Sequence, residues 1–133
     1  MKTRLADIAH ARSGDKTDWV DLGVFAWNAA GHALIEREVT AERVRAHFAR
    51  WLPGAVERWP LPGRLATKLV LHDALQGGAA RNLRLDNLGK AMAAARLRME
   101  IDVGGDGQAR CRGAPRLRWW PDDDCTRDDS LAA

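Results

Sequence analysis

The sequence predicts an α+β domain in which helices cover one face of an antiparallel sheet. Three observations lead there. Over Trp19 to Trp27, Val20, Leu22, Val24 and Ala26 alternate with Asp21, Gly23 and Phe25, the two-residue period of a half-buried strand. Val44, Phe48, Trp51 and Leu52 recur at helical spacing behind Thr40, whose hydroxyl suits an N-cap. Leu97, Met99, Ile101 and Val103 then alternate with Arg98, Glu100 and Asp102, the clearest strand pattern in the chain.

The remaining elements fall in place between these. Thr3 to Arg12 carries Leu5, Ile8 and Ala9 among polar residues and fits a strand. Ser13-Gly14-Asp15-Lys16 reads as turn chemistry, since glycine tolerates positive φ and short polar side chains bond nearby amides, so a hairpin is expected around it. Asn28 to Gly31 interrupts the second strand, and a short helix is expected from His32 to Glu38. The helix behind Thr40 has Glu42 at its positive end and stops at Pro53-Gly54. Ala55 to Pro60 fits a strand, Pro60 to Gly63 a turn, and the apolar run Leu65 to Leu71 a second strand. Beyond Leu83-Arg84-Leu85, Asp86 is placed to cap a short helix over Leu88 to Ala95. The order strand, strand, helix, strand, strand, helix, strand maps onto a ferredoxin-like βαββαβ core plus an extra N-terminal strand. Residues 1–103 form this body, and 104–133, rich in Gly, Pro, Arg and Asp without periodicity, read as a flexible tail.

A chain of 133 residues is one domain's worth and long enough to bury a core without staples. The net charge of +3 is too small and too dispersed for nucleic-acid binding, which needs a concentrated basic face. No apolar run approaches a membrane span, and the opening Met1-Lys2-Thr3-Arg4-Leu5 lacks the apolar core of a secretion signal, so a cytoplasmic location is expected. Cys111 and Cys125 lack CxxC spacing and read as free thiols. His10, His32, His47 and His72 form no HExxH or other ligand-spaced pair, and neither a Walker loop nor a GxSxG elbow is present. No metal or cofactor is expected.

Three stretches carry a resemblance: ARSGDK at Ala11 to Lys16, LHDALQGG at Leu71 to Gly78, and RNLRLDNLGK at Arg81 to Lys90. Together with Val39 to Val44 between them, their order and spacing are similar to the C-terminal ferredoxin-like domain of acyclic terpene utilisation (AtuA-type) proteins, over about Leu5 to Val103. The family pattern reads approximately ARSGDKGDxxNIGV, NFVLHGALGGG and SLRLDxxGKxL. Here Thr17, Asp73 and Gln76 stand in place of glycines, and Asp21 and Lys68 in place of asparagines. The resemblance implies a link to breakdown of branched terpenoid acids as CoA thioesters, beside biotin-dependent carboxylases and acyl-CoA enzymes. In full-length relatives a larger domain precedes this one. The expected partners are therefore a second copy or a separately encoded large AtuA-type subunit, with an acyl-CoA as a possible ligand.

The candidate chemistry is concentrated in the same stretches. Arg12, Ser13, Gly14, Asp15 and Lys16 put a guanidinium, a hydroxyl, an ammonium and turn amides in one segment, which suits a carboxylate or phosphate or, equally, a self-satisfied turn. Asp18, Gly77, Gly78, Arg81, Asp86 and Lys90 complete the candidate ligand-binding set. Lys90 on the first turn of a helix opposes the dipole and calls for an anion or an acidic neighbour, while Gly89 would admit close approach of another backbone. His72 is the one candidate general base, with Asp73 as its orienter. In the tail, Trp119-Trp120 sits between Arg110, Arg112, Arg116 and Arg118 and the run Asp122 to Asp124. It reads as a docking peptide with aromatic anchors or as an extension folded loosely back on the body. The two functional readings are a non-catalytic accessory or interaction module and a small site for an acyl or acyl-CoA anion built on the SGDK segment and His72.

Overall fold

The computed structural model describes residues 2–104, so the Trp119-Trp120 segment and both cysteines lie outside the described residues. The elements are β1 (Lys2–Arg4), β2 (Ala9–Lys16), β3 (Trp19–Ala26), α1 (Ala29–Glu38), α2 (Ala41–His47), β4 (Val56–Leu61), β5 (Ala66–Leu71), α3 (Met92–Leu97) and β6 (Glu100–Asp102). Four strands form an antiparallel sheet in the order β2-β3-β5-β4, and β1 pairs with β6 in a separate two-stranded ribbon.

Period-two patterning decides which face is covered. Val20, Leu22 and Val24 of β3 stand opposite Leu71, Leu69 and Thr67 of β5, and all six are fully buried. Ile35 of α1, Val39, Val44 of α2 and Phe48 close over them. Thr67 reaches the same side, donating to Glu36 Oε1 on α1 at 2.8 Å. The α+β, ferredoxin-like expectation therefore holds, with the helices on one face. No helix among the described residues is long and apolar enough to cross a membrane.

Several local expectations are corrected. The first strand is two strands, broken by a 3-10 turn at Leu5–Asp7. Leu5 and Ile8 are both buried, a helical rather than a strand spacing, and Asp7 folds back to accept from Thr3 Oγ1 and, at 2.9 Å, from Arg4 N. Ser13 to Lys16 is not a turn but the end of β2, paired residue by residue with β3 until Lys16 faces Trp19. Only Thr17-Asp18 connects the two strands. The uninterrupted ladder outweighs the local turn preferences of Ser, Gly and Asp. The place beside β3 is thereby taken by β2, and the last strand pairs with β1 instead of entering the main sheet.

The helices differ in extent. Asn28 caps α1, accepting from Gly31 N at 2.8 Å, so that helix begins three residues before His32. Thr40 caps α2 as expected, accepting from Arg43 N at 3.3 Å. Trp51, expected in the buried stripe, is 53% exposed, because α2 ends at His47 and the following turns rotate it off that stripe.

Candidate functional site

Because Arg12 to Lys16 is strand, its side chains separate by alternation onto two faces. Ser13 and Asp15 point toward the helix layer. There Ser13 Oγ donates to the Lys90 carbonyl at 2.9 Å, and Lys90 Nζ lies 3.0 Å from Asp15 Oδ1. The hydrogen bond from Lys90, helped by the nearby charge of Lys16, holds the Asp15 carboxyl below its usual range. Asp86 completes this cluster, accepting from Lys90 N at 2.8 Å and Ala91 N at 3.0 Å. It is not an N-cap residue: α3 starts later than expected, with Ala91 in the cap position. Lys90 accordingly precedes the helix instead of sitting on its first turn, and its acidic neighbour is Asp15.

A second cluster forms around the hairpin. The Asp18 carbonyl accepts from Ala74 N at 3.0 Å and Leu75 N at 3.2 Å, while Asp18 Oδ1 accepts from Leu75 N at 3.1 Å and Gly77 N at 2.9 Å. One residue thus fixes the whole Ala74–Gly77 segment. Gly78, at φ +101°, lies beneath the hairpin: a Cβ there would stand 3.1 Å from the Thr17 carbonyl oxygen. Arg81 N bonds back to the Gly78 carbonyl at 3.0 Å, and the Arg81 side chain is exposed beside Gly77. Gly89 does permit a close approach, of the Val20 side chain rather than a backbone: a Cβ would meet Val20 Cγ2 at 2.6 Å.

Arg12, Gly14 and Lys16 belong to the other, uncovered face of the sheet, with Trp19, Asp21, Gly23 and Phe25 of β3, Lys68 and Val70 of β5, and Glu57, Trp59 and Leu61 of β4. His72 joins them. Its Nε2 lies 2.6 Å from Glu57 Oε1, and Trp19 meets its ring edge-on at 4.8 Å between centroids. The carboxylate that orients His72 is therefore Glu57, fifteen residues upstream, and not Asp73, whose φ of 54° turns the chain away. Further along the face His10 stacks on Phe25 at 5.0 Å and packs 4.7 Å from Trp27. A groove of about 300 Å³ runs across its middle, lined by Arg12, Gly23, Phe25, Leu61 and Lys68.

The structure therefore brings Arg12, Lys16 and His72 onto one surface and sends Ser13, Asp15, Asp18, Asp86 and Lys90 into contacts that hold the fold together. Sequence reasoning missed Trp19, Glu57, Trp59 and Lys68 as members of that surface. Their signal was available: each sits at a face-out position of a strand, but only the register places the four strands side by side. Among the described residues no group of three or more His, Cys, Asp or Glu is arranged to hold a metal ion.

A four-stranded antiparallel sheet with helices on one side and an aromatic, basic surface on the other defines a small ferredoxin-like domain. The chain belongs to the AtuA ferredoxin-like domain family, whose sequence model matches residues 3–102. No curated protein and no solved structure matches it.

Proposed function

We propose that the chain is a non-catalytic accessory or interaction domain of acyclic terpenoid or branched acyl-CoA catabolism, pairing through its uncovered sheet face with a second copy or with a separately encoded large AtuA-type subunit. The observation that carries this reading is the composition of that face. Trp19 and Trp59 are about half exposed on it, Leu61 nearly so, and Arg12 lies on the edge strand in the same cross-strand row as Trp59, with Gly23 and Lys68 between them. Tryptophan and arginine are the residues on which interface energies concentrate, and a solvent-facing sheet surface does not otherwise call for them. The test is light scattering on the purified full chain, with co-purification alongside a co-expressed large AtuA-type subunit. Assembly larger than one chain, or capture of that subunit, is expected and should be lost in Trp59→Glu. A monomer that captures nothing defeats the reading.

A second reading keeps the same face but makes it a site for an acyl or acyl-CoA anion. It is favoured by one observation: Lys16, opposite Trp19 in the register, and His72, packed against Trp19, flank the same ring. Thermal stabilisation by a CoA thioester panel that vanishes in Lys16→Ala supports it, and no shift across the panel rejects it.

A further inference from the structure

On the opposite side of the body from the sheet face, a cleft of about 400 Å³ opens between the end of the α2 region and α3. Its walls are apolar, from Trp51, Leu75, Met92 and Ala95, with Arg84 and Asp86 at its edge. Leu83 and Leu85, either side of Arg84, are wholly exposed. So much apolar surface around a concave site marks a docking position. At the edge the Asp86 carboxylate accepts from the amides of Lys90 and Ala91, and the Arg84 guanidinium donates through Nη1 to the Ala74 carbonyl at 3.1 Å, while Arg81, three residues before Arg84, is exposed, so two cationic side chains stand against one carboxylate.

The chain carries a segment of matching chemistry. Trp119-Trp120 supplies two large aromatic anchors, and Asp122-Asp123-Asp124 follows at once with the acidic complement to Arg81 and Arg84. We infer that this segment is the occupant of the cleft, with the indoles between Trp51 and Met92 and the aspartates toward the arginines. The reach is sufficient. From the cleft wall at Ala91 to Gly104 the chain runs through α3, about 9 Å long, and β6, about 10 Å. The residues between Gly104 and Trp119 extend to about 45–50 Å. Tethering also separates this occupant from a second copy. A short linker holds its segment at an effective concentration of order millimolar, so two indoles and a few charge contacts suffice, whereas a free copy would need far higher affinity.

The two cysteines, Cys111 and Cys125, flank the tryptophans and are the only ones in the chain, which gives a direct experiment on the full-length protein. A nitroxide on Cys125, in a Cys111→Ser background, should broaden the amide signals of Leu75 and of Met92 to Ala95 selectively. That broadening should disappear in the double variant Trp119→Ala, Trp120→Ala. It should also disappear in Leu83→Asp, Leu85→Asp, whose sites are wholly exposed and leave the fold intact. Broadening spread evenly over the domain, or centred on Trp19 and Trp59, overturns the assignment. So does broadening that passes only from labelled chains to unlabelled ones in a mixture, since the occupant would then come from a second copy.

Discussion

Lys68 Nζ stands 3.0 Å from Asp21 Oδ2, across the β3–β5 pair on the uncovered face. Both residues occupy positions where the AtuA-type pattern carries asparagine. Where that pattern has two neutral amides, this chain has an ion pair, at the edge of the groove that Arg12 also lines. Both side chains are more than a third exposed, so the pair is screened and its contribution is below about 1 kcal/mol. Asp21→Asn and Lys68→Asn should each cost a few tenths of a kcal/mol, and the double variant should be close to neutral. A double-mutant cycle by urea denaturation, repeated in high salt to collapse the coupling, checks this.

The glycine positions of the pattern are explained by backbone geometry. Thr17, Asp73 and Gln76 have φ of 54°, 54° and 53°, in the left-handed region that costs a side-chain-bearing residue about 1–2 kcal/mol. Restoring glycine relieves that strain but frees the unfolded chain by about 0.4–1 kcal/mol. Thr17→Gly, Asp73→Gly and Gln76→Gly are each expected to stabilise the domain by up to about 1 kcal/mol, and the three together to raise its melting temperature. Thermal denaturation of the single and triple variants measures it.

Asp18 is expected to matter for stability whatever the function. Asp18→Ala leaves the Leu75 and Gly77 amides without their side-chain acceptor, a loss of about 1–3 kcal/mol, whereas Asp18→Asn keeps a carbonyl there and should lose less. Hydrogen exchange at the Leu75 and Gly77 amides should accelerate in Asp18→Ala well before exchange in β3 and β5 does.

Arg96 on α3 is fully buried, and its Nε and Nη2 have no hydrogen-bond partner among the described residues. Its Nη1 rests against the sulfur of Met99. Burial, with the charge of Arg43 nearby, lowers the guanidinium from its ordinary value to about 9. Replacing a poorly compensated buried charge with an apolar side chain of similar volume is expected to stabilise, so Arg96→Met should gain about 1–4 kcal/mol at neutral pH. The pH dependence has a definite sign. From about pH 9 up to the ordinary guanidinium value the unfolded chain binds the proton and the folded one does not, so the wild type gains stability as pH rises above 9. The gap between wild type and Arg96→Met should therefore be constant below pH 9 and narrow above it. Paired denaturation curves across the alkaline range test this, because other groups titrate alike in both proteins.

Glu38 is one of the carboxyls through which acid acts. The hydrogen bond from Arg37, together with the Asp102 amide and Arg43, holds its carboxyl below 4.5 against the opposing effect of burial. The stability it confers is complete above 4.5 and is lost as pH falls through the lowered value. Glu38→Gln should be less stable than wild type at pH 7, and the difference should close in acid.

The core was legible because alternation survives any register: Val20, Leu22 and Val24 had to share a face, and they do. The site was legible only in part. Ser13, Gly14 and Asp15 look like a turn when local preferences are summed, and only long-range pairing with Asp21 and Leu22 makes them strand. That one change separates Ser13 and Asp15 from Arg12 and Lys16. Glu57 as the partner of His72 was equally hidden, because it follows from the β4–β5 register. Asp86 was half read: its carboxylate does take backbone amides, yet those amides precede α3 instead of opening it.

The β1–β6 ribbon has a consequence for how the body can be joined to another chain. Lys2 stands opposite Asp102, so the two ends of the body leave it side by side. A domain entered and left at one point can be spliced into a loop of a host protein without prying that loop apart. By the same geometry, a short bridge from Asp102 to Lys2 would close the body into a ring, and new ends cut at the exposed Gly63 turn would leave its sheet order unchanged.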